Sequence, residues 1–290
     1  METQQPRGLH PAGRQALGRR AFVALAAAGV VAACRARRPV TLGVQSYSFR
    51  DRTLEETILG MQQLGLKSCE LWQGHIEPRG IARDELRHWR ETIELDMFHR
   101  LRDRFTRAGI ALSAYNISFR DDFSDAEIDR GFEMAKALGA SVITSSSNVK
   151  TVARVAPVAA RHQMQVGVHN HSRIDPNEFA TAESLTAAIA QGPFIAVNLD
   201  IGHFTAANED AAAFLRQHHD RVVTLHLKDR KRDQGPNVEF GAGDTPIVEV
   251  LTLLHEQGWP IPANIEYEYD GGDAVAEVGK CLAYCRRALA

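Results

Sequence analysis

Ile195-Ala196-Val197-Asn198-Leu199-Asp200-Ile201-Gly202-His203 joins two kinds of chemistry in nine residues. Its first part, Ile195–Ile201, is a short, mostly apolar run of strand length, and its exit carries Asp200 and His203. A one-sided helical pattern follows at Asp210–His218. The same unit recurs along the chain in both directions. Strands are predicted at Thr41–Phe49, Ser68–Trp72, Ala111–Ser118, Ser141–Ser145, Gln165–Asn170, Ile195–Ile201, Val222–Lys228 and Asn264–Tyr269. Helices are predicted at Thr53–Leu64, Asp84–Arg107, Asp125–Leu138, Val149–His162, Ala182–Ala190, Asp210–His218, Ile247–Gln257 and Asp273–Leu289. Several helices stop at glycine before the next strand, as in Leu64-Gly65-Leu66 and Leu138-Gly139-Ala140. Eight strand-then-helix units with no break in composition imply one closed parallel (β/α)8 barrel over residues 39–290. A doubly wound open sheet is disfavoured, because Gln45-Ser46-Tyr47-Ser48-Phe49 stands where a Gly-x-Gly-x-x-Gly turn would follow the first strand.

In such a barrel the C-terminal ends of the strands face the active site. The last four strands end in His169-Asn170-His171, Asp200-Ile201-Gly202-His203, His226-Leu227-Lys228-Asp229 and Glu266-Tyr267-Glu268. Any one of these residues alone reads as a cap or a surface group. At one level of four consecutive strands, His169, Asp200, His226 and Glu266 instead make a mixed nitrogen and oxygen set suited to one divalent ion. Mn²⁺, Zn²⁺, Co²⁺ and Fe²⁺ fit that set, and Mg²⁺ less well. His171 and Glu268 share a strand face with His169 and Glu266, so each is a further candidate at the same mouth.

Val197-Asn198-Leu199-Asp200-Ile201-Gly202-His203, then His226-Leu227-Lys228-Asp229, then Ile265-Glu266-Tyr267-Glu268, resemble the xylose isomerase-like sugar phosphate isomerase/epimerase superfamily of TIM barrels. Leu42-Gly43-Val44-Gln45-Ser46-Tyr47-Ser48-Phe49 and Phe240-Gly241-Ala242-Gly243-Asp244-Thr245-Pro246-Ile247 fit the same order, so the resemblance spans about residues 40 to 289. It implies metal ligands of the type Glu, Asp, His and Glu, which fall on His169, Asp200, His226 and Glu266. The first position departs from that pattern, since an imidazole stands where many epimerases place a carboxylate that is also an acid/base.

The resemblance implies a metal-dependent isomerase or epimerase acting on a sugar or sugar derivative through an enediolate. Glu266 is then ligand and base together, and His203 and His171 are the remaining candidate catalytic groups. Arg232 matches in position an arginine that holds substrate oxygens. Trp72, Tyr47 and Glu268 are candidates for the wall around a sugar, although packing is the ordinary role of such aromatic side chains. Because His169 replaces a carboxylate, a lyase or dehydratase acting on 3-keto-glycosides or cyclitols is the alternative. A non-catalytic periplasmic sugar-binding lipoprotein is the reading from another class. Related DNA-repair endonucleases need more His and Glu ligands than strands two to four supply.

With 290 residues, 44% hydrophobic, 24% charged and a net charge of −2, the chain has no electrostatic footprint for nucleic acid. Residues 1–38 read as an address. Gly18-Arg19-Arg20-Ala21-Phe22-Val23 opens an apolar run from Ala21 to Ala33, too short to span a bilayer, which closes at Val31-Ala32-Ala33-Cys34. The paired arginines resemble a twin-arginine export signal, and the closing tetrad resembles a lipobox with Cys34 as the lipidated residue. The expected location is extracytoplasmic, periplasmic or membrane-anchored, with membrane contact only through that lipid. The expected partner is a small carbohydrate, with a homo-oligomer left open. Cys69, Cys281 and Cys285 read as buried thiols.

Overall fold

The structure, a computed structural model, describes residues 39–290; the export and lipidation motifs, Cys34 included, lie outside the described residues. Eight parallel strands close a barrel in chain order, each hydrogen-bonded to its sequence neighbours and the last to the first. They are β1 (Leu42–Gln45), β2 (Ser68–Trp72), β3 (Ala111–Asn116), β4 (Val142–Ser145), β5 (Gln165–His169), β6 (Ile195–Asp200), β7 (Val222–Leu227) and β8 (Ala263–Ile265). The outer ring holds α1 (Leu54–Leu64), α2 (Arg83–Thr92), α3 (Asp96–Arg107), α4 (Asp125–Leu138), α5 (Val149–His162), α6 (Ala182–Ile189), α7 (Ile201–Ala206), α8 (Ala211–His218), α9 (Ile247–Gln257) and α10 (Ala274–Ala288). Among the described residues, no helix is long and apolar enough to cross a membrane.

The eight-stranded barrel is as the sequence implies, and the differences are local. The first predicted strand ends early, because Ser46–Phe49 turns into a 3-10 segment capped by the Gln45 side chain on the Tyr47 amide. The single long helix predicted over Asp84–Arg107 is two. Ile93 takes an extended conformation between them, and the Arg130 guanidinium bonds to its freed carbonyl. A bidentate pair from Arg90 to Glu77, at 2.8 and 2.7 Å, and a third bond from Arg90 to Glu127 fasten α2 to its surroundings beneath the surface.

Helix starts and stops follow their local chemistry. Thr53 and Glu56 form a reciprocal capping box at the start of α1, and Gly65 ends that helix at φ 69°, where a Cβ would be strained. The packed layer between strands and helices contains Phe98, Phe105, Phe119 and Phe132, all essentially buried. Cys69, Cys281 and Cys285 are free and buried in the same layer.

Candidate metal centre

Four strand ends deliver four ligand atoms to one place. His169 Nε2, Asp200 Oδ2, His226 Nδ1 and Glu266 Oε2 are buried and have no hydrogen-bond partner. One ligand atom from each of these residues lies within 4.8 Å of all the others. Asp200 Oδ2 is 3.5 Å from His169 Nε2 and 3.9 Å from His226 Nδ1, and Glu266 Oε2 is 3.0 Å from His226 Nδ1. Buried polar atoms are ordinarily paired. Four such atoms converging at a barrel mouth, in ion-pair reach of charged neighbours but in no regular hydrogen bond, form a donor set that fits a divalent cation, two imidazole nitrogens and two carboxylate oxygens.

The backbone around the ligands is held by the sequence neighbours of the ligands themselves. Asn170 clamps residue 200 from both sides, accepting from the Asp200 amide at 2.9 Å and donating to its carbonyl at 3.1 Å. Asp200 Oδ1 accepts from the His203 amide at 2.6 Å, capping α7 and leaving Oδ2 for the cluster. Ser146 Oγ is 3.3 Å from His169 Nδ1, which leaves Nε2 turned inward.

A lysine completes the charge balance. Lys228, 2% exposed, places Nζ 2.6 Å from Glu268, 2.9 Å from Glu266 and 3.1 Å from Asp200. Burial by itself would depress its pKa, but the three carboxylates outweigh that and hold the ammonium above its ordinary range. Burial acts the other way on Asp200 and Glu266, and it too is outweighed. Lys228 holds both carboxyls below the carboxylate range, aided by His203 at Asp200 and by His226 at Glu266. His226 is raised well above its usual value, the loss from burial being exceeded by Glu70 and Glu266. His171 is lowered to about 3 by burial and by His169, and His203 well below its usual value by burial and by Lys228.

Above the cluster lies a cavity of about 400 Å³, lined by Tyr47, Trp72, Arg120, His169, His171, His203, His226, Lys228, Glu266 and Glu268 among others. Tyr47 and Trp72 meet edge to face at 4.9 Å and form one wall.

A profile of the xylose isomerase-like TIM barrel family matches residues 61–287, most of the chain. The chain belongs to this family. No curated protein sequence matches it. Several solved structures share the family's fold with it. L-ribulose 3-epimerase is 15% identical with a TM-score of 0.65, over 86% of this chain and 94% of that one. The 3-keto-D-glucoside 4-epimerase of E. coli is 14% identical with a TM-score of 0.63, over 86% and 99%. A probable 3-DHS dehydratase of Bacillus anthracis is 14% identical with a TM-score of 0.63, over 84% and 98%. At these identities the likeness is one of fold.

Within this family member, the sequence-predicted groups His169, Asp200, His226 and Glu266 come together, and His171, His203, Glu268, Tyr47 and Trp72 line the same cavity. Arg232 does not. It is exposed on the loop after β7, where its amide donates to Asp244, and its side chain is not among the cavity-lining groups. Arg230 does not line the cavity either but bonds from behind to a residue that does, with Nη1 2.7 Å from His203 Nδ1 and 2.9 Å from Ser172 Oγ.

The charged run Lys228-Asp229-Arg230-Lys231-Arg232-Asp233 is buried at its start. Lys228 and Asp229 are both 2% exposed. Asp229 gathers the Gly241 and Gly243 amides at 2.7 and 3.0 Å and that of Thr245 at 3.2 Å, so it folds the following loop back over β7. A Cβ at Gly243 would lie 1.9 Å from Asp229 Oδ1, which requires glycine there. Glu70, buried at the centre of β2, was not anticipated. It sits in Ser68-Cys69-Glu70-Leu71-Trp72, whose pattern marks a buried strand and gives no signal for a functional carboxylate.

Proposed function

We propose that this protein is a divalent-metal-dependent isomerase or epimerase of a sugar or sugar derivative. The carrying observation is the convergence of four buried ligand atoms that make no hydrogen bond, beside a polar cavity with one aromatic wall. His169, Asp200, His226 and Glu266 hold the ion. When bound, the ion supplies Lewis-acid polarisation of a carbonyl oxygen and its neighbouring hydroxyl, which acidifies the adjacent C–H.

Glu266 takes the proton from that carbon. The Lys228 ammonium, held against Glu266 and Glu268, faces the oxygen on which negative charge develops in the enediolate. His203, fixed between Lys228 and Arg230, orients a second substrate oxygen, and His171 lines the same cavity. Tyr47 and Trp72 pack against the apolar face of the sugar and exclude water from it.

One observation favours a second reading. On β5 the ligand is the imidazole of His169, so the centre has one carboxylate base rather than two on opposite faces of the substrate. A single base suits elimination, in which the abstracted proton need not be returned from the other side. A lyase or dehydratase acting on a 3-keto-glycoside or cyclitol follows from it. The solved structures with this fold include two epimerases and a probable dehydratase, which is compatible with either outcome.

Elemental analysis of the purified protein and of His226→Ala, joined to parallel assays of sugar epimers and of a 3-keto-glycoside, tests both. Stoichiometric metal lost with His226, together with epimer interconversion, supports the first reading, and release of an aglycone selects the second. A metal-free wild type unaffected by His226→Ala would leave a sugar-binding module. We also propose export by the twin-arginine route and lipidation at Cys34. Fractionation of wild type, Cys34→Ala and an Arg19→Lys, Arg20→Lys pair tests this, and an unchanged membrane-bound fraction in Cys34→Ala would overturn the anchor.

A further inference from the structure

Beneath the ligand layer, the barrel interior holds a carboxylate at the level where barrels of this kind usually carry branched apolar side chains. Glu70 on β2 is fully buried. Donors reach it from six other strands. Oε1 accepts from Thr144 Oγ1 at 2.6 Å, Gln45 Nε2 at 3.0 Å, Asn198 Nδ2 at 3.3 Å and Asn116 Nδ2 at 3.5 Å. Oε2 accepts from Asn264 Nδ2 at 3.0 Å. The remaining contact is His226 Nε2, 3.0 Å from Oε1.

No lysine or arginine pairs with Glu70 among the described residues, and its one ion-pair partner is His226. An uncompensated buried carboxylate is costly, and neutral amide and hydroxyl donors offset only part of that cost. His226 is the one ionisable side chain that reaches Glu70, and it does so through Nε2. Its other nitrogen, Nδ1, is one of the four unpartnered ligand atoms.

A neutral imidazole carries one proton, and the group facing one nitrogen decides which nitrogen holds it. An acceptor at Nε2 puts the proton there and leaves the Nδ1 lone pair facing Asp200 and Glu266. The Asn198 amide lies 3.0 Å from the same nitrogen. It also donates to Glu70 Oε1, so amide and imidazole N–H converge on one oxygen.

We propose that Glu70 is the positioning residue of the metal centre: it receives the Nε2–H of His226 and so fixes the tautomer and ring orientation that present Nδ1 to the cation. This rests on the metal reading above. Carboxylates behind ligating histidines raise ligand basicity and hold the ring, and their loss typically weakens metal binding by about 10–100-fold. The other side chains of the hub hold Glu70 in place but do not touch the imidazole of His226, with the exception of Asn198, which reaches Nε2.

The test is equilibrium competition for Zn²⁺ or Co²⁺ against a chelator, using the wild-type protein, Glu70→Gln, Glu70→Asp and Thr144→Val. Glutamine can turn its amide N–H toward Nε2 and so favours the wrong tautomer. The expected result is a loss of about 10–100-fold in affinity for Glu70→Gln with an altered Co²⁺ visible spectrum. A smaller loss is expected for Glu70→Asp, which keeps the charge at shorter reach. Thr144→Val removes a hub bond without touching His226, so its melting temperature falls while its metal affinity stays within about twofold of wild type.

Equal affinity in folded Glu70→Gln and wild type would overturn the proposal, as would a loss in Thr144→Val as large as in Glu70→Gln. If Glu70→Gln does not fold, ¹⁵N-histidine NMR of the Zn²⁺-loaded wild type decides. A proton on Nε2 of His226 supports the proposal, and a proton on Nδ1 overturns it. A wild type that binds neither metal removes the metal reading itself. A wild type that binds metal while Glu70→Gln is silent removes this inference alone.

Discussion

Lys228 Nζ lies 2.6 Å from Glu268, a contact that brings a buried cation to the edge of a cluster with two further carboxylates, Asp200 and Glu266. Removing one partner of a buried ion pair strands the other charges and costs roughly 3–5 kcal/mol. Lys228→Met is therefore expected to lower the melting temperature of the chelator-treated protein by on the order of 10 °C. Adding Mn²⁺ or Zn²⁺ restores a counter-charge to the same carboxylates, so the metal-induced rise in melting temperature should be larger in the variant than in wild type. Scanning calorimetry with and without metal reads both effects. A metal-free melting temperature unchanged from wild type would contradict the ion-pair role.

Glu266 and Glu268 share a strand face but differ in what they reach. Glu266 puts Oε2 3.0 Å from His226 Nδ1 and is 6% exposed, whereas Glu268 meets Lys228 and its side chain is 23% exposed. Glu266→Gln should reduce bound metal to a small fraction of one ion per chain. Glu268→Gln should retain it and, under either reaction, lower kcat more than it changes metal content. Metal analysis of both variants after equal dialysis checks the assignment, and metal loss in Glu268→Gln with retention in Glu266→Gln would reverse it.

The barrel and the ligand quartet were legible because both are periodic. Apolar runs of strand length mark the strands, and a polar residue at the end of such a run points to the mouth, as at His169, Asp200, His226 and Glu266. What was not legible depends on loop direction and on the barrel interior. Lys228 and Asp229 look like members of a charged loop until the Asp229 carboxylate is seen to gather the Gly241, Gly243 and Thr245 amides. Glu70 is hidden for the opposite reason. Its strand is buried on both faces, so no alternation reveals which side chain points into the barrel, and its six donor strands are brought together only by closure.

Acid should destabilise the metal-free protein through His171. Its pKa falls from the ordinary 6.5 to about 3 in the folded protein, first through burial and then through His169. Between those values the unfolded chain holds a proton that the folded chain does not, so stability rises with pH through this window and is lost as pH falls below about 6.5. The expected slope for one such proton is about 1.4 kcal/mol per pH unit. Urea unfolding in the presence of chelator from pH 6.5 to 4.5 measures it. His171→Asn should show a slope shallower than wild type by about one proton, and identical slopes would remove His171 from the acid response.

The two arginines after β7 give the sharpest contrast between sequence position and structure. Arg232 has the spacing expected of a substrate-binding residue, yet it is exposed and tied down through its backbone, its amide donating to Asp244 and its carbonyl accepting from the Gly235 amide. Arg230 is anchored on the Gly235 carbonyl at 2.6 and 3.1 Å, with Nη1 directed at His203 Nδ1 and Ser172 Oγ. It therefore fixes the ring of His203, whose Nε2 stands 3.1 Å from Lys228 Nζ. Misplacement of a catalytic group by about 1 Å costs on the order of 100-fold in rate. Arg230→Ala is expected to lower kcat/KM on that scale and to leave metal content at the wild-type level, since no metal ligand bonds to Arg230. Arg232→Ala should stay within about twofold of wild type, as surface changes away from a site generally do. Steady-state kinetics and metal analysis of the pair decide the matter, and a large loss in Arg232→Ala alone would mean that the loop closes over substrate in a conformation that carries Arg232 inward.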